Sequence, residues 1–479
     1  MSFQVHVTGP GDLVVQVYRQ IREAILDGRL RPGERLPPTR ELARSAAVSR
    51  STVSTAYERL LGEGFLTARV GSGTYVDGTA AGDRPARAAT GGSVRPRRLW
   101  QDLAPLRPEA PAPRYDLRAG TPDTTLFPLP SWRRLVTREL RAGTMAAADY
   151  ADPAGHPALR AAVARWLGIS RSIRTGAGHV LITNGAQQAL DVIGRVLVEP
   201  GDVVAVEEPG YPPARQLFRS QGATVVGVPV DGEGLVVGAL PPNARIVYTT
   251  PSHQFPMGVP MSLARRHELL SWAARHDAAV IEDDYDSEFR FGKRPLEPLQ
   301  SLDGGGRVIY VGTFSKTMLP SLRLGFLVAP ATLHPALVLA RQVTNLYGDT
   351  RTEAAMAAFI EEGMFARHLR TATRAYAERH ALLLDALAGD LSRWLTPVVS
   401  AAGLHLSAHL HPDAGVAAST VAARAEQAGI GVQTLGHFCL DQPERDGLVI
   451  GYGAIPTDHL PAALRLLARC FTPGRRQLA

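Results

Sequence analysis

Between Asp12 and Val76 the spacing of apolar positions changes several times. Leu13, Val17, Ile21 and Ile25 recur every four residues, which predicts a helix closed by Gly28 and Pro32-Gly33. A second helix is predicted from Pro38-Thr39 to Ser45–Ala47, with Thr39 as its cap and Glu41 in its first turn. A third runs from about Ser49 to Glu63, with Val53, Tyr57, Leu60 and Leu61 turned inward and Gly64 at its end. From Phe65 to Val76 the pattern alternates about Gly71-Ser72-Gly73, which predicts a small hairpin.

Helix, helix, turn, helix and hairpin is the order of a winged helix-turn-helix. The pattern then lapses: residues 78–114 hold 6 Pro, 4 Gly and 7 Arg, the composition of an extended linker. After residue 115, β-branched runs (Val203–Val206, Thr224–Val228, Ile246–Tyr248, Ala279–Ile281, Val308–Val311) alternate with helical stretches such as Ala186–Leu197 and Ser262–His276. That alternation predicts an α/β domain with a large, mostly parallel sheet. Beyond about Pro335 the mainly helical pattern predicts a smaller α+β lobe. The expected domains are therefore 10–78, 79–114 and 115–475.

Charge adds a partner to this picture. Residues 1–114 carry 17 Arg against 11 acidic residues, while the other 365 carry 35 cationic against 34 acidic. An N-terminal excess of this kind points to a polyanion. Within it, residues 1–80 contribute +2 and residues 81–114 contribute +4, so the linker is expected to add salt-sensitive, non-specific affinity. Two cysteines, Cys439 and Cys470, exclude a disulfide framework and a multi-cysteine zinc site. No metal is expected. No signal peptide or long apolar run is seen, so no membrane partner is expected and a cytoplasmic location is.

The stretch from Gly28 to Ala43, GRLRPGERLPPTRELA, and the third-helix start Ser49-Arg50-Ser51-Thr52-Val53 carry the DNA-binding chemistry. Arg50 at a helix start can bond guanine with two parallel N–H groups, and Ser49, Ser51 and Thr52 can reach bases or phosphates. Arg40 and Arg44 would hold phosphate. Arg69 and the wing tip Gly71-Ser72 would approach the minor groove. Taken singly, Arg44 and Arg69 read equally well as solvated arginines. As a set over Leu13–Val76 these residues resemble the GntR family of bacterial regulators, which implies binding of double-stranded promoter DNA.

Only two lysines, Lys293 and Lys316, stand among 50 arginines. Lys316 follows an apolar strand in VGTFSKTMLPSLR, with Arg323 seven residues on. A carbonyl cofactor needs a deprotonatable amine for imine formation, which arginine cannot supply. Its phosphate needs a guanidinium and a helix N-terminus, which Arg323 and Asn184-Gly185-Ala186-Gln187 offer. Asp283 at a strand end can keep a pyridine nitrogen protonated, Tyr285 can bond a ring hydroxyl, and Tyr211 can stack. Lys293 sits in a polar turn without an assigned role.

These motifs resemble the class I/II aminotransferases of pyridoxal 5'-phosphate (PLP) fold type I over about Tyr115–Phe471. The resemblance implies a Schiff base at Lys316 and PLP contacts from Asp283, Tyr285, Tyr211, Gly185, Ala186, Gln187, Thr313 and Arg323. Tyr150 would reach the phosphate of a neighbouring subunit. Both halves together resemble the MocR/GabR-type regulators. This implies a PLP-dependent transcription factor, a homodimer of head-to-tail form, with the aminotransferase fold used as a sensor. Its small-molecule effector would be PLP itself or an amine or amino acid forming an aldimine at Lys316.

The competing reading is an active aminotransferase with a vestigial DNA-binding domain. Two positions depart from the aminotransferase pattern. Phe255 stands where an asparagine usually bonds the ring hydroxyl, leaving Tyr285 alone or with His253 or Gln254. Val449 stands where an arginine usually clamps the substrate carboxylate, so a standard amino acid is not the expected ligand unless Arg215 or Arg445 replaces the clamp.

Overall fold

In the computed structural model, residues 5–7, 12–69, 71–77, 94–103, 112–141, 150–291, 297–400, 402–440 and 446–472 are described. The chain forms two units, Met1–Gln101 and Asp102–Ala479.

In the first unit, helix α1 (Leu13–Leu26) starts where the Asp12 carboxylate accepts from the Val14 amide at 2.9 Å. Val17, Tyr18, Ile21, Ala24 and Ile25 form its buried stripe. Helix α2 (Thr39–Ser45) is not capped by Thr39 as expected; Pro38 occupies the cap position and no side chain bonds there. The extended Pro38 starts the helix one residue early, and its carbonyl accepts from Glu41 and Leu42. Helix α3 (Arg50–Gly62) is capped by Ser49, whose Oγ accepts from the Thr52 amide at 3.1 Å. The Tyr57 hydroxyl donates to the Pro37 carbonyl at 2.8 Å, holding α3 against the turn before α2. Strands β1 (Leu66–Arg69) and β2 (Gly73–Val76) pair antiparallel, with Arg69 opposite Gly73.

The second unit contains β3 (Tyr115–Asp116), β4 (Val180–Thr183), β5 (Val203–Glu208), β6 (Thr224–Asp231), β7 (Gly234–Leu235), β8 (Ala244–Thr249) and β9 (Ala279–Asp284). It continues with β10 (Val308–Thr313), β11 (Gly325–Val328), β12 (Leu395–Pro397), β13 (His405–Leu410), β14 (Ile430–Gly431), β15 (Gln433–Thr434) and β16 (Gly447–Gly451). Eight of them form one sheet in the order β4-β11-β10-β9-β8-β5-β6-β7. The central pairs β10–β9, β9–β8, β8–β5 and β5–β6 are parallel, whereas β11 runs antiparallel to both neighbours. One face buries Leu190, Ile193, Val206, Phe218 and Ile309; the other buries Ala205, Val247, Leu269, Trp272 and Val280. Covered on both faces, the sheet leaves the carboxyl ends of its strands as the place for a site.

The smaller lobe is built on the sheet β12-β13-β16-β15, with β3 and β14 paired parallel beside it. It does not begin at Pro335. Leu337, Met356 and Phe359 pack into the cores of the large sheet, and the change of core falls within the helix Met364–Ala388. Phe365 at the start of that helix joins the large core, while Leu383 and Leu387 join the small one. The lobe also takes in Tyr115–Asp116 from the beginning of the unit. An amphipathic stripe reveals that a helix has a buried face but not which core it meets. Both cysteines are free, Cys470 buried and Cys439 half-buried.

Candidate cofactor site and nucleic-acid interface

Lys316 lies in the turn that leaves β10, between the buried anchors Phe314 and Met318. The turn is ordered by Thr313, whose Oγ1 accepts from the Ser315 amide at 3.2 Å and donates to the Ser315 hydroxyl at 3.0 Å. The Lys316 amine donates to the Gly120 carbonyl. Gly120 is in the left-handed region, and a Cβ there would stand 3.2 Å from Nζ.

One strand over, Asp283 is paired in register with Val311. The Tyr248 hydroxyl donates to Asp283 Oδ2 at 2.7 Å, while the buried Oδ1 has no partner among the described residues. Burial pushes the Asp283 carboxyl up to about 7, against the hydrogen bond from Tyr248. An orphaned acceptor of this kind fits the protonated nitrogen of a pyridine ring.

Tyr285 follows the same strand, its hydroxyl oxygen 2.9 Å from His253 Nδ1. The same nitrogen is 3.0 Å from Asp286 Oδ1, and Nε2 is 3.1 Å from the Ser400 hydroxyl. A carboxylate beside Nδ1 keeps the proton on that nitrogen. It is then shared between Asp286 and the Tyr285 oxygen, and the tyrosine's own hydrogen is left to point at a ligand. Gln254 takes no part in this, since its amide donates to Glu207 and to the carbonyls of Pro209 and Phe255. The choice between His253 and Gln254 is thus made by packing. Phe255 meets Tyr211 and Tyr285 edge-on, each at 5.7 Å between centroids.

At the other end of the site, β4 leads through Gly185 into the helix Ala186–Leu197. Gly185 has φ +77°, and a Cβ there would lie 3.3 Å from both terminal nitrogens of Arg323. Arg323 donates to the Asn184 carbonyl at 2.8 Å, and a cavity of about 330 Å³ opens against Asn184, Arg323, Asn345 and Tyr347. Gln187 is half-buried in the first helical turn. A helix N-terminus with an adjacent guanidinium is a cradle for phosphate. Gly185→Ala should cost about 1–3 kcal/mol in backbone strain. By displacing Arg323 it should also weaken PLP binding at least about ten-fold in an absorbance titration.

Tyr150 is exposed, its ring 6.0 Å from Tyr347. Arg215 is not a replacement carboxylate clamp. It is buried and donates to Glu208 at 3.2 Å and to the carbonyls of Gly210 and Phe438 at 3.3 and 2.6 Å. Arg445 and Lys293 lie outside the described residues. Tyr248, Asp286 and Gly120 were not assigned roles by their motifs. The only signal for Tyr248 was its place at a strand end beside the strand of Asp283. His253, Asp286 and His405 bring ligand-type atoms within 4.8 Å of one another. His405 is committed to the Pro256 carbonyl, and burial holds its imidazole down to about 4.

On the winged helix, Arg50 is exposed as the first residue of α3. Arg40 and Arg44 are exposed one turn apart on α2. Ser49 is occupied as the helix cap, and its Oγ is 2.7 Å from Ser51 Oγ and 2.8 Å from Thr52 Oγ1. Those three hydroxyls therefore hold one another, and Arg50 is the long donor among them. At the wing, Gly71 has φ +75° and Arg69 lies 4.9 Å over the ring of Tyr75. The Ser72 hydroxyl is 2.7 Å from that of Tyr75.

The family model of bacterial regulatory proteins of the gntR family matches residues 13–76, and that of aminotransferase class I and II matches residues 115–445. The chain is 38% identical to the probable rhizopine catabolism regulatory protein MocR of Rhizobium meliloti, over 95% of this chain and 93% of that protein. It is 31% identical to the pyridoxine biosynthesis transcriptional regulator PdxR of Corynebacterium glutamicum, over 97% of each. The Pyrococcus horikoshii kynurenine aminotransferase superposes with a TM-score of 0.69 at 28% identity, covering 74% of this chain and 90% of that one. A winged helix joined to the fold of PLP-dependent aminotransferases defines a DNA-binding transcriptional regulator carried on an enzyme scaffold. The chain belongs to the MocR/GabR-type subfamily of GntR regulators. Among the described residues no helix is long and apolar enough to cross a membrane.

Proposed function

We propose that this regulator holds PLP at Lys316, and that what occupies the site sets its affinity for promoter DNA. The observation that carries this reading is the placement of the Lys316 turn and the unpartnered Asp283 oxygen on adjacent strands, β10 and β9. When bound, PLP supplies an aldehyde that condenses with amines. Lys316 would anchor it, Asp283 would hold the ring nitrogen and Tyr285 the ring hydroxyl, with Tyr211 along the ring. Gly185, Ala186, Gln187, Thr313 and Arg323 would hold the phosphate. The effector is PLP itself or a small amine exchanging with Lys316.

In this reading residues 10–78 bind double-stranded DNA through Arg40, Arg44, Arg50 and Arg69, with Ser51, Thr52, Gly71 and Ser72 beside them. Residues 79–114 link this part to the PLP-binding residues 115–475. The exposed Tyr150, with Leu339 and Val343 exposed on one helix, supports a homodimer in which Tyr150 reaches the neighbour's phosphate. Promoter DNA as partner supports a cytoplasmic location.

The test is spectroscopic and functional together. Protein loaded with PLP should absorb in the visible, Lys316→Ala should lose that band, and PLP should change promoter affinity in a gel shift by about 5–150-fold. Equal affinity of the cofactor-free and loaded forms would exclude PLP as the signal.

A further inference from the structure

Next to the Gly120 and Phe255 segments of the Lys316 site, the described residues form an apolar cluster that contains no cation. Val449, on β16, is fully buried and forms a cluster with Leu435 and Phe438, against which Ala119, Phe255 and Met257 pack. This cluster joins the cofactor site from two sides. Ala119 precedes Gly120, whose carbonyl receives the Lys316 amine. Phe255 lies edge-on to both Tyr211 and Tyr285.

Among the described residues, the guanidiniums on the surrounding elements already have partners. Arg118 pairs with Asp116 at 2.7 Å, and Arg379 is held by Asp123 and the Gly453 carbonyl. Arg215 is held by Glu208 and two carbonyls, and Arg290 donates from Nη2 to the Ser252 carbonyl at 3.1 Å while its buried Nε has no partner among the described residues. Among the described residues, the other ionisable groups near the ring are neutral, acidic or already paired. His405 is kept neutral by burial, Asp286 faces His253, and the buried Glu207 is satisfied by Thr249, Thr250 and Gln254.

A carboxylate entering here would lose its water without gaining a partner. An amine has no such need. Exchange of one amine for another at the cofactor's aldehyde carbon makes one C–N bond and breaks another, so no electron, water or second reactant is required.

We infer that the effector of this site is a primary amine with an apolar body and no carboxylate. The inference rests on the PLP reading above. Val449 is the specificity-determining position: it excludes amino acids, and Phe255 and Phe438 receive the apolar body.

The experiment titrates the full-length, PLP-loaded protein with 2-phenylethylamine and with L-phenylalanine, which differ only by the carboxylate, and follows the visible absorbance. The amine should bind at least about ten-fold tighter than the amino acid, the factor of one missing charge-assisted hydrogen bond. Val449→Arg should reverse the order, and Arg445→Ala should leave both constants unchanged. Equal or tighter binding of L-phenylalanine by the unaltered protein, binding of neither compound, or loss of L-phenylalanine binding in Arg445→Ala overturns the inference. The unaltered protein decides the first two without any variant. Failure of the PLP reading looks different: no visible band on loading, or a band that survives Lys316→Ala.

Discussion

Asp283→Asn is expected to weaken PLP binding and to strengthen the cofactor-free protein. Asp283 keeps one buried oxygen without a partner and sits in surroundings that push its carboxyl up to about 7. With a protonated ring nitrogen opposite, that oxygen gains a charge-assisted bond of about 1.5–3 kcal/mol, so the variant should lose about ten- to a hundred-fold in PLP affinity. Without cofactor the sign reverses. A carboxyl raised from 3.8 in the unfolded chain to about 7 when folded binds more protons in the folded state between those values, so stability falls as pH rises through that window. Above pH 7 the full cost, at most about 4 kcal/mol, is present, and asparagine does not incur it. The melting temperature of the cofactor-free variant should exceed that of the parent by a margin that widens from pH 5 to pH 8. A margin independent of pH would show that Asp283 does not titrate in that range.

Arg50→Ala should remove specific promoter binding while the fold survives. Arg50 is exposed and touches none of the apolar core of its unit, whose inward positions on α3 are Val53, Ala56, Tyr57 and Leu60. Its neighbours Ser49, Ser51 and Thr52 hold one another's hydroxyls, so they cannot take over its reach without breaking the helix cap. A guanidinium bonding guanine by two N–H groups contributes about 1–3 kcal/mol of discrimination. In a gel shift the variant should lose about ten- to a hundred-fold on its own promoter and little on unrelated DNA, with its melting temperature unchanged. Unaltered promoter affinity would take Arg50 out of the interface.

Much of this is legible in the sequence. The helix Ala186–Leu197 has the bounds its pattern predicts, because Gly185 and the apolar stripe mark both a conformation and a face. The strands carrying Asp283 and leading to Lys316 were legible as β-branched runs, and the lysine itself stood out because arginine had replaced nearly every other one. Thr39 does not cap α2, because the two prolines before it set the start of the helix by backbone constraint rather than by a side-chain bond. The lobe boundary was misplaced because helices such as Thr350–Glu361 show an apolar face without naming the surface it covers.

The identities in this chain determine its chemistry by themselves. One amine follows a strand, one arginine opens a helix after a turn, and a valine stands on β16 in place of a cation. Local pattern suffices for these, since they depend on residue type and on neighbours a few positions away. Only the tertiary structure decided which groups act together. Tyr248 and Asp283 meet across 35 positions, His253 reaches Tyr285 while Gln254 turns to Glu207, and Arg215 is consumed by Glu208 and Phe438. Those outcomes depend on strand order and on which buried polar atom finds a partner first, and a carboxylate left without one becomes visible only when every other bond has been placed.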